Sequence, residues 1–238
     1  MVMGTGYNPR IVTDGLVFCL DAANARSYPG AGTTWTDLKG GNNSTLANSP
    51  SFDPNNAGSI VFDGSNQRSQ ASLPSSLGST FTLECFGRFH NSSRSNYEYF
   101  GAIGEWYGGS SRNMCSIARI GTQFSNSAHH GKLYLNGTGI IVDLLMDTTD
   151  WLHIVVTANG GTPTAYKNGT PHTSYSVSTD LGAFNVTNIV MTAAFKSINV
   201  STYGWYLDGQ VSCQRVYNRA LTADEVRQNY LATKERYA

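Results

Sequence analysis

Short apolar runs recur along nearly the whole chain, and each is cut off by Gly, Pro, Asn or Asp before it could form a helix. They read LVFCLDA (16–22), SIVFDG (59–64), TFTLECFGRF (80–89), YFGAIGEW (99–106), MCSIARI (114–120) and KLYLNG (132–137). IIVDLL (140–145), WLHIVVTA (151–158), TAYKNG (164–169), NIVMTAAF (188–195) and WYLDGQVSCQRVY (205–217) continue the series. Runs of this length at this spacing predict antiparallel strands in a sandwich or barrel. Asn136-Gly137 and Asn168-Gly169 predict tight hairpins, because both central positions of a type I′ turn need positive φ. Alternation assigns faces. Leu152, Ile154, Val156 and Ala158 should point to the core, as should Phe81, Leu83 and Cys85.

One helix is expected, at the far end. Thr222-Ala223-Asp224-Glu225 has the spacing of a capping box, and Leu221 and Val226 are placed for a hydrophobic staple. Asp224 and Glu225 sit in the first turn and Lys234 and Arg236 in the last, as the helix dipole favours. Val226, Tyr230 and Tyr237 make a sparse apolar stripe, so the helix should lean on a sheet. The expected organisation is an N-terminal arm over 1–10 and one domain over 11–238, closed by a capping helix at about 222–236. On sequence, the Gly-rich arm MVMGTGYNPR reads equally as an extended segment reaching a neighbour and as a disordered tail.

Composition narrows the function classes. Lys+Arg and Asp+Glu are 16 each and charged residues only 13%, about half the usual share, so no electrostatic footprint for nucleic acid or anionic membrane exists. No basic stretch followed by an apolar core opens the chain, and no apolar run reaches the length of a membrane span. Cys19, Cys85, Cys115 and Cys213 fit no zinc spacing and read as buried, reduced thiols. A Cys19–Cys213 bridge stays open if the first and last strands pair.

Four stretches resemble the LamG-like, concanavalin A-like lectin/glucanase jelly rolls. GLVFCLDAANARSYPGAGTTWTDLKGGNNSTL (15–46) looks like the family's opening strand and its W-x-D-L-x-G loop, and SIVFDGSNQRSQ (59–70) like its F-D-G strand. WLHIVVTANGGTPTAYKNG (151–169) resembles a central hairpin, and DGQVSCQRVYNRALTADEV (208–226) the closing strand and helix start. The resemblance implies an all-β fold, a two-sheet antiparallel β-sandwich (concanavalin A-like jelly roll) with a short C-terminal helix. The opening wording, YNPRIVTDGLVFCLDAANARSYPG, is also similar to LamG-like modules in structural proteins of tailed bacteriophages.

Catalytic signatures are missing. The glucanase branch carries an E-x-D-x-x-E strand that sets two carboxylates on one face, and Glu98 and Glu105, or Asp143, Asp147 and Asp150, do not match it. GGSSR (108–112) is no nucleophile elbow, and GTGYNP (4–9) no dinucleotide loop. His129-His130, adjacent on extended chain, point to opposite faces. Family members also bind calcium at the sandwich rim, but here Ser212-Cys213 replace the acidic pair of the closing strand and Gln214 an apolar position; Asp63 and Asp208 read as turn-formers. The expectation is therefore no enzyme and no cofactor, with calcium the one ion the resemblance admits.

The stretch NSSRSNYEYFGAIGEWYGGSSRN (91–113) concentrates the candidates for a glycan site or an interface: Arg94, Tyr97, Glu105, Trp106, Tyr107 and Arg112. Aromatic faces would pack on sugar rings and the planar polar groups would hold hydroxyls. The competing reading makes Tyr99, Phe100 and Ile103 core and Trp106-Tyr107 a hairpin tip or subunit contact. Two functions follow. The first is a virion structural protein, a capsid decoration or cement protein or another head or tail component, partnered by the major capsid protein or other virion proteins and by copies of itself, and assembled in host cytoplasm. The second is a carbohydrate-binding module for cell-surface glycan, with neither nucleic acid nor membrane as partner.

Overall fold

The computed structural model describes residues 9–92, 96–106, 112–119, 131–135, 138–142, 146, 148–160, 162–172, 188–197 and 202–237. In chain order the strands are β1 (Leu16–Asp21), β2 (Thr34–Trp35), β3 (Ser44–Ala47), β4 (Ser51–Asp53), β5 (Ser59–Asp63) and β6 (Arg68–Ser72). Next come β7 (Thr80–Phe89), β8 (Glu98–Trp106), β9 (Arg112–Arg119), β10 (Gly131–Leu135), β11 (Thr138–Val142) and β12 (Leu152–Asn159). The series closes with β13 (Thr162–Lys167), β14 (Thr170–His172), β15 (Ile189–Thr192), β16 (Phe195–Ser197), β17 (Thr202–Gly204) and β18 (Asp208–Tyr217), then helix α1 (Ala223–Thr233).

The strands form two stacked sheets. Sheet A runs β14-β13-β12-β7-β18-β5-β4, with β1 also on β18; sheet B runs β11-β10-β9-β8-β15-β6-β3-β2, with β16 also pairing β8 and β17 pairing β16. The first and last strands meet. β18 pairs β5 through Asp208–Val211 and, after a bulge, pairs β1 from Cys213↔Asp21 to Tyr217↔Leu16. This is the two-sheet antiparallel sandwich with a short C-terminal helix that the sequence implies.

Alternation settles the interior. Leu152, Ile154, Val156 and Ala158 of β12 join Phe81, Leu83 and Cys85 of β7 in the main core, with Phe18, Trp35, Phe62 and Phe100. The opposite side of these strands is also buried: Thr82, Glu84, His153 and Val155 are covered by the C-terminal segment. Asn168-Gly169 makes the expected turn between β13 and β14, with φ of 52° and 76°. Asn136-Gly137 lies outside the described residues.

Two sequence expectations are corrected. NIVMTAAF is not one strand, because Ala193 takes a left-handed φ of 62° and turns the chain after Thr192. Its N–H bonds Phe100 and its carbonyl accepts from Leu207, which fixes the break. Likewise the closing strand starts at Asp208 and not at Trp205, whose φ is 51°. Cys19 and Cys213 are free, together with Cys85 and Cys115. Although β1 and β18 pair, Cys19 faces Arg215 and Cys213 faces Asp21, so the two thiols sit out of register. Burial pushes Cys19 up to about 11 and Cys213 up to about 12, leaving both protonated and inert at neutral pH.

Helix α1 begins with the full capping box between Thr222 and Glu225, and Leu221 and Val226 share one cluster with Leu16, Val155 and Tyr217. Arg219 clamps the Glu225 carboxylate with two bonds. The α-helix stops at Thr233, and Lys234–Tyr237 continue as a 3-10 turn, so the basic residues expected in its last turn lie beyond it. Arg236 instead pairs with Asp21 at 2.8 Å.

Candidate binding groove

The outer face of sheet A is closed by α1 over a buried ionic network. Glu84 accepts from Arg215, from His153 Nε2 at 3.0 Å and from Asn229 Nδ2 at 2.7 Å. Burial pushes the Glu84 carboxyl up, but Arg215, His153 and Asn229 outweigh it and hold it down at about 2. Asn229 also accepts from the Val12 N–H at 2.8 Å, and the Tyr217 hydroxyl donates to the Val12 carbonyl at 3.1 Å. The network thus ties the start of the chain, the helix and three strands together. Glu84, His153, Arg215 and Asn229 are all buried.

The outer face of sheet B is covered over β8, β9 and β15 by the cluster around Phe195 and Trp205, and is open over β3 and β6. Ser44 and Leu46 of β3 and Ser69 and Ala71 of β6 point inward, with a 2.9 Å bond between the Ser44 and Ser69 hydroxyls. Their alternates, Thr45, Ala47, Arg68, Gln70 and Ser72, therefore face out and floor a groove of about 650 Å³. Tyr203 of β17 forms one wall. The Arg68 guanidinium lies 3.6 Å from the Tyr203 ring centroid, and the Tyr203 hydroxyl donates to Gln70 Oε1 at 2.9 Å.

The other wall is the loop carrying the W-x-D-L-x-G motif. Trp35 is fully buried, and the Asp37 carboxylate accepts the N–H groups of Cys19, Lys39, Gly40 and Asn42. The Asp37 N–H in turn donates to Asn43 Oδ1 at 3.0 Å. Gly41 takes a φ of 84°, which a side chain would resist. The result presents Asn42 and Asn43 to the groove. No lining residue among those described is acidic.

Beside the groove, Trp205 packs on Tyr97 (4.9 Å), Phe195 (4.7 Å) and Tyr99 (5.8 Å, nearly parallel). A smaller cavity of about 230 Å³ lies between Tyr97, Trp205, Tyr206, Asn96, Gly64 and Ser65. Tyr203, Trp205 and Tyr206 thus line two neighbouring depressions from one short segment.

The sequence candidates disperse. Tyr97 is 6% exposed, with its ring against Trp205, and Glu105, 7% exposed, pairs with Lys196 at 2.6 Å. Trp106 and Arg112 are register partners at the end of β8 and β9. Arg94 and Tyr107 lie outside the described residues, as do His129-His130, Asp143 and Asp147. Phe100 and Ile103 belong to the main core and Tyr99 to the aromatic cluster. Sequence reasoning missed Asn42, Asn43, Arg68, Gln70 and Tyr203. The available signal was β6, RSQAS, whose alternate residues are all polar.

Three carboxylates outside the groove are engaged. Glu98 is buried against Arg119 and accepts the Asp208 N–H. Asp208 accepts from His90 and Asn91, and Asp63, its register partner, from the Ser65 N–H. These two acids shape turns, and the oxygen set that calcium requires is not assembled from them. Among the described residues no group of three or more His, Cys, Asp or Glu could hold a metal ion.

The fold is similar to that of Trypanosoma rangeli sialidase in complex with 2,3-difluorosialic acid, with a TM-score of 0.67 and 15% identity, covering 99% of this chain and 36% of the sialidase chain. The chain thus spans about a third of the length of the sialidases it matches. It is also similar to domain 4 of AbnA, a GH43 extracellular arabinanase from Geobacillus stearothermophilus, solved in complex with arabinotriose. There the TM-score is 0.62 and identity 14%, covering 91% of this chain and 98% of that domain. The botulinum neurotoxin serotype D binding domain has a TM-score of 0.63 and 12% identity, covering 91% of this chain and 51% of that one. At such identities the likeness is one of fold. No curated protein matches the sequence. A family model matches residues 62–227, from the F-D-G strand through the helix start, and the chain belongs to the concanavalin A-like lectin/glucanases superfamily.

Proposed function

We propose that the chain is a non-enzymatic carbohydrate-binding module whose saccharide lies in the groove over β3, β6 and β17. One observation carries this: the groove joins a stacked Arg68–Tyr203 pair to three planar amides, with no carboxylate among its described lining residues. Flat polar groups around an aromatic wall suit sugar hydroxyls and ring faces. A typical glycosidase needs two carboxylates about the scissile bond, and the described lining of the groove offers none. The fold likeness to an arabinanase domain solved with arabinotriose supports the reading. On a glycan array, with and without calcium, the chain should retain a subset of glycans, and Tyr203→Ala should lose them. A blank array under both conditions overturns the proposal.

A second reading concerns where the module acts. The similarity of residues 7–30 to modules of tailed-phage structural proteins, with a charge-poor surface of zero net charge, supports a place on a virion. There it would decorate the head or tail, contacting the major capsid protein or other virion proteins and further copies of itself. Mass spectrometry of purified particles should find it in stoichiometric copy number. Recovery only from the soluble fraction of an infected lysate removes this reading.

A further inference from the structure

We infer that the groove selects acidic saccharides, sugars bearing a carboxylate or a sulfate ester. This rests on the glycan reading above and narrows it. The argument is an inventory of donors and acceptors. Arg68 is half-buried, and its one hydrogen bond among the described residues runs from a terminal nitrogen to the Asn66 carbonyl at 3.3 Å. A guanidinium has five N–H donors, so most of its fork stays open. Tyr203 covers one of its faces but takes none of its protons. Among the described residues no carboxylate lines the groove to neutralise it.

The amides tilt the same way. Gln70 Oε1 is occupied by the Tyr203 hydroxyl and Asn43 Oδ1 by the Asp37 N–H. Each oxygen thus already has one partner, while neither N–H₂ group has one among the described residues. The nearby acid, Asp37, is buried and turned into its own loop, where it holds main-chain N–H groups. What remains is the open Arg68 fork and two amide N–H₂ groups beside the Thr45 and Ser72 hydroxyls and the Asn42 amide, with no acidic lining residue among those described. A neutral sugar hydroxyl can accept from these donors but brings no charge to the guanidinium. An oxyanion accepts only, and the Arg68 fork can hold it through two parallel charge-assisted bonds.

The test is calorimetry on the full chain with tetragalacturonic acid, its neutral methyl ester, a heparin-derived tetrasaccharide and maltotetraose. The acid should bind about tenfold or more tighter than its ester, the worth of one charge-assisted contact, with the gap narrowing as salt rises. Preference for the heparin fragment over tetragalacturonate would identify the oxyanion as sulfate, the reverse as carboxylate. Arg68→Gln should erase the preference and Arg68→Lys should keep part of it. Equal binding of acid and ester, with the heparin fragment no better than maltotetraose, overturns the inference while leaving the glycan reading intact. A blank array removes both. The acid–ester comparison uses the unaltered chain, so it stands even if the Arg68 variants fold poorly.

Discussion

The two outer faces of the sandwich use the same residue types to opposite ends. Behind sheet A, a guanidinium, a carboxylate, an imidazole and an amide close on one another under α1. On sheet B, a guanidinium and three amides line an open groove with no carboxylate among its described lining residues. Buried polar groups that bond across elements weld secondary structure together. Polar groups left with unanswered donors make a surface that waits for something else.

The sharpest way to break that contrast is Glu84→Gln. Removing the carboxylate strands Arg215 in the interior, and such a lone buried charge costs about 3–5 kcal/mol. Chemical denaturation should show a loss of that size, while saccharide binding by the folded fraction is unchanged. A loss no larger than that of a groove substitution would mean the two faces do not differ as described. Acid supplies the next largest effect. The folded Glu84 carboxyl is held at about 2, below its unfolded value, so it stabilises above the ordinary carboxylate range and that stability is lost as pH falls through 2. On the order of 3 kcal/mol should disappear between about pH 5 and pH 2. Glu225, held at about 2 by Arg219 against partial desolvation, acts in the same direction. Denaturation curves across this range should slope less for Glu84→Gln than for the parent chain. The smallest effect belongs to the open face. Gln70→Ala should shift stability by no more than about 0.5 kcal/mol yet weaken saccharide binding, read by calorimetry beside a melting curve.

Much of this architecture was legible because its signals are local. Alternation along β12 and β7 assigned the core side chain by chain, Asn168-Gly169 declared its turn, and Thr222 and Glu225 declared their cap. Left-handed turns at Ala193 and Trp205 were not legible, since neither residue type announces positive φ; long-range backbone bonds impose it at Ala193. The buried Asn229 was hidden for a related reason, because a polar residue on a helix reads as exposed until its partners arrive from β7 and from Val12. The groove was the least visible part. Its residues come from positions 41–47, 68–72 and 203, brought together only by sheet pairing and the return of β17. The aromatic stretch that looked like a site, by contrast, places Tyr97 in its own packing.

The clasp between Val12 and Asn229, with Gln228 bonding the Arg10 carbonyl, fixes both ends of the domain against the back of sheet A. Residues 10 and 237 therefore both sit on the side of the sandwich opposite the groove. A tag, a scaffold or a second domain attached at either position should leave the groove unobstructed.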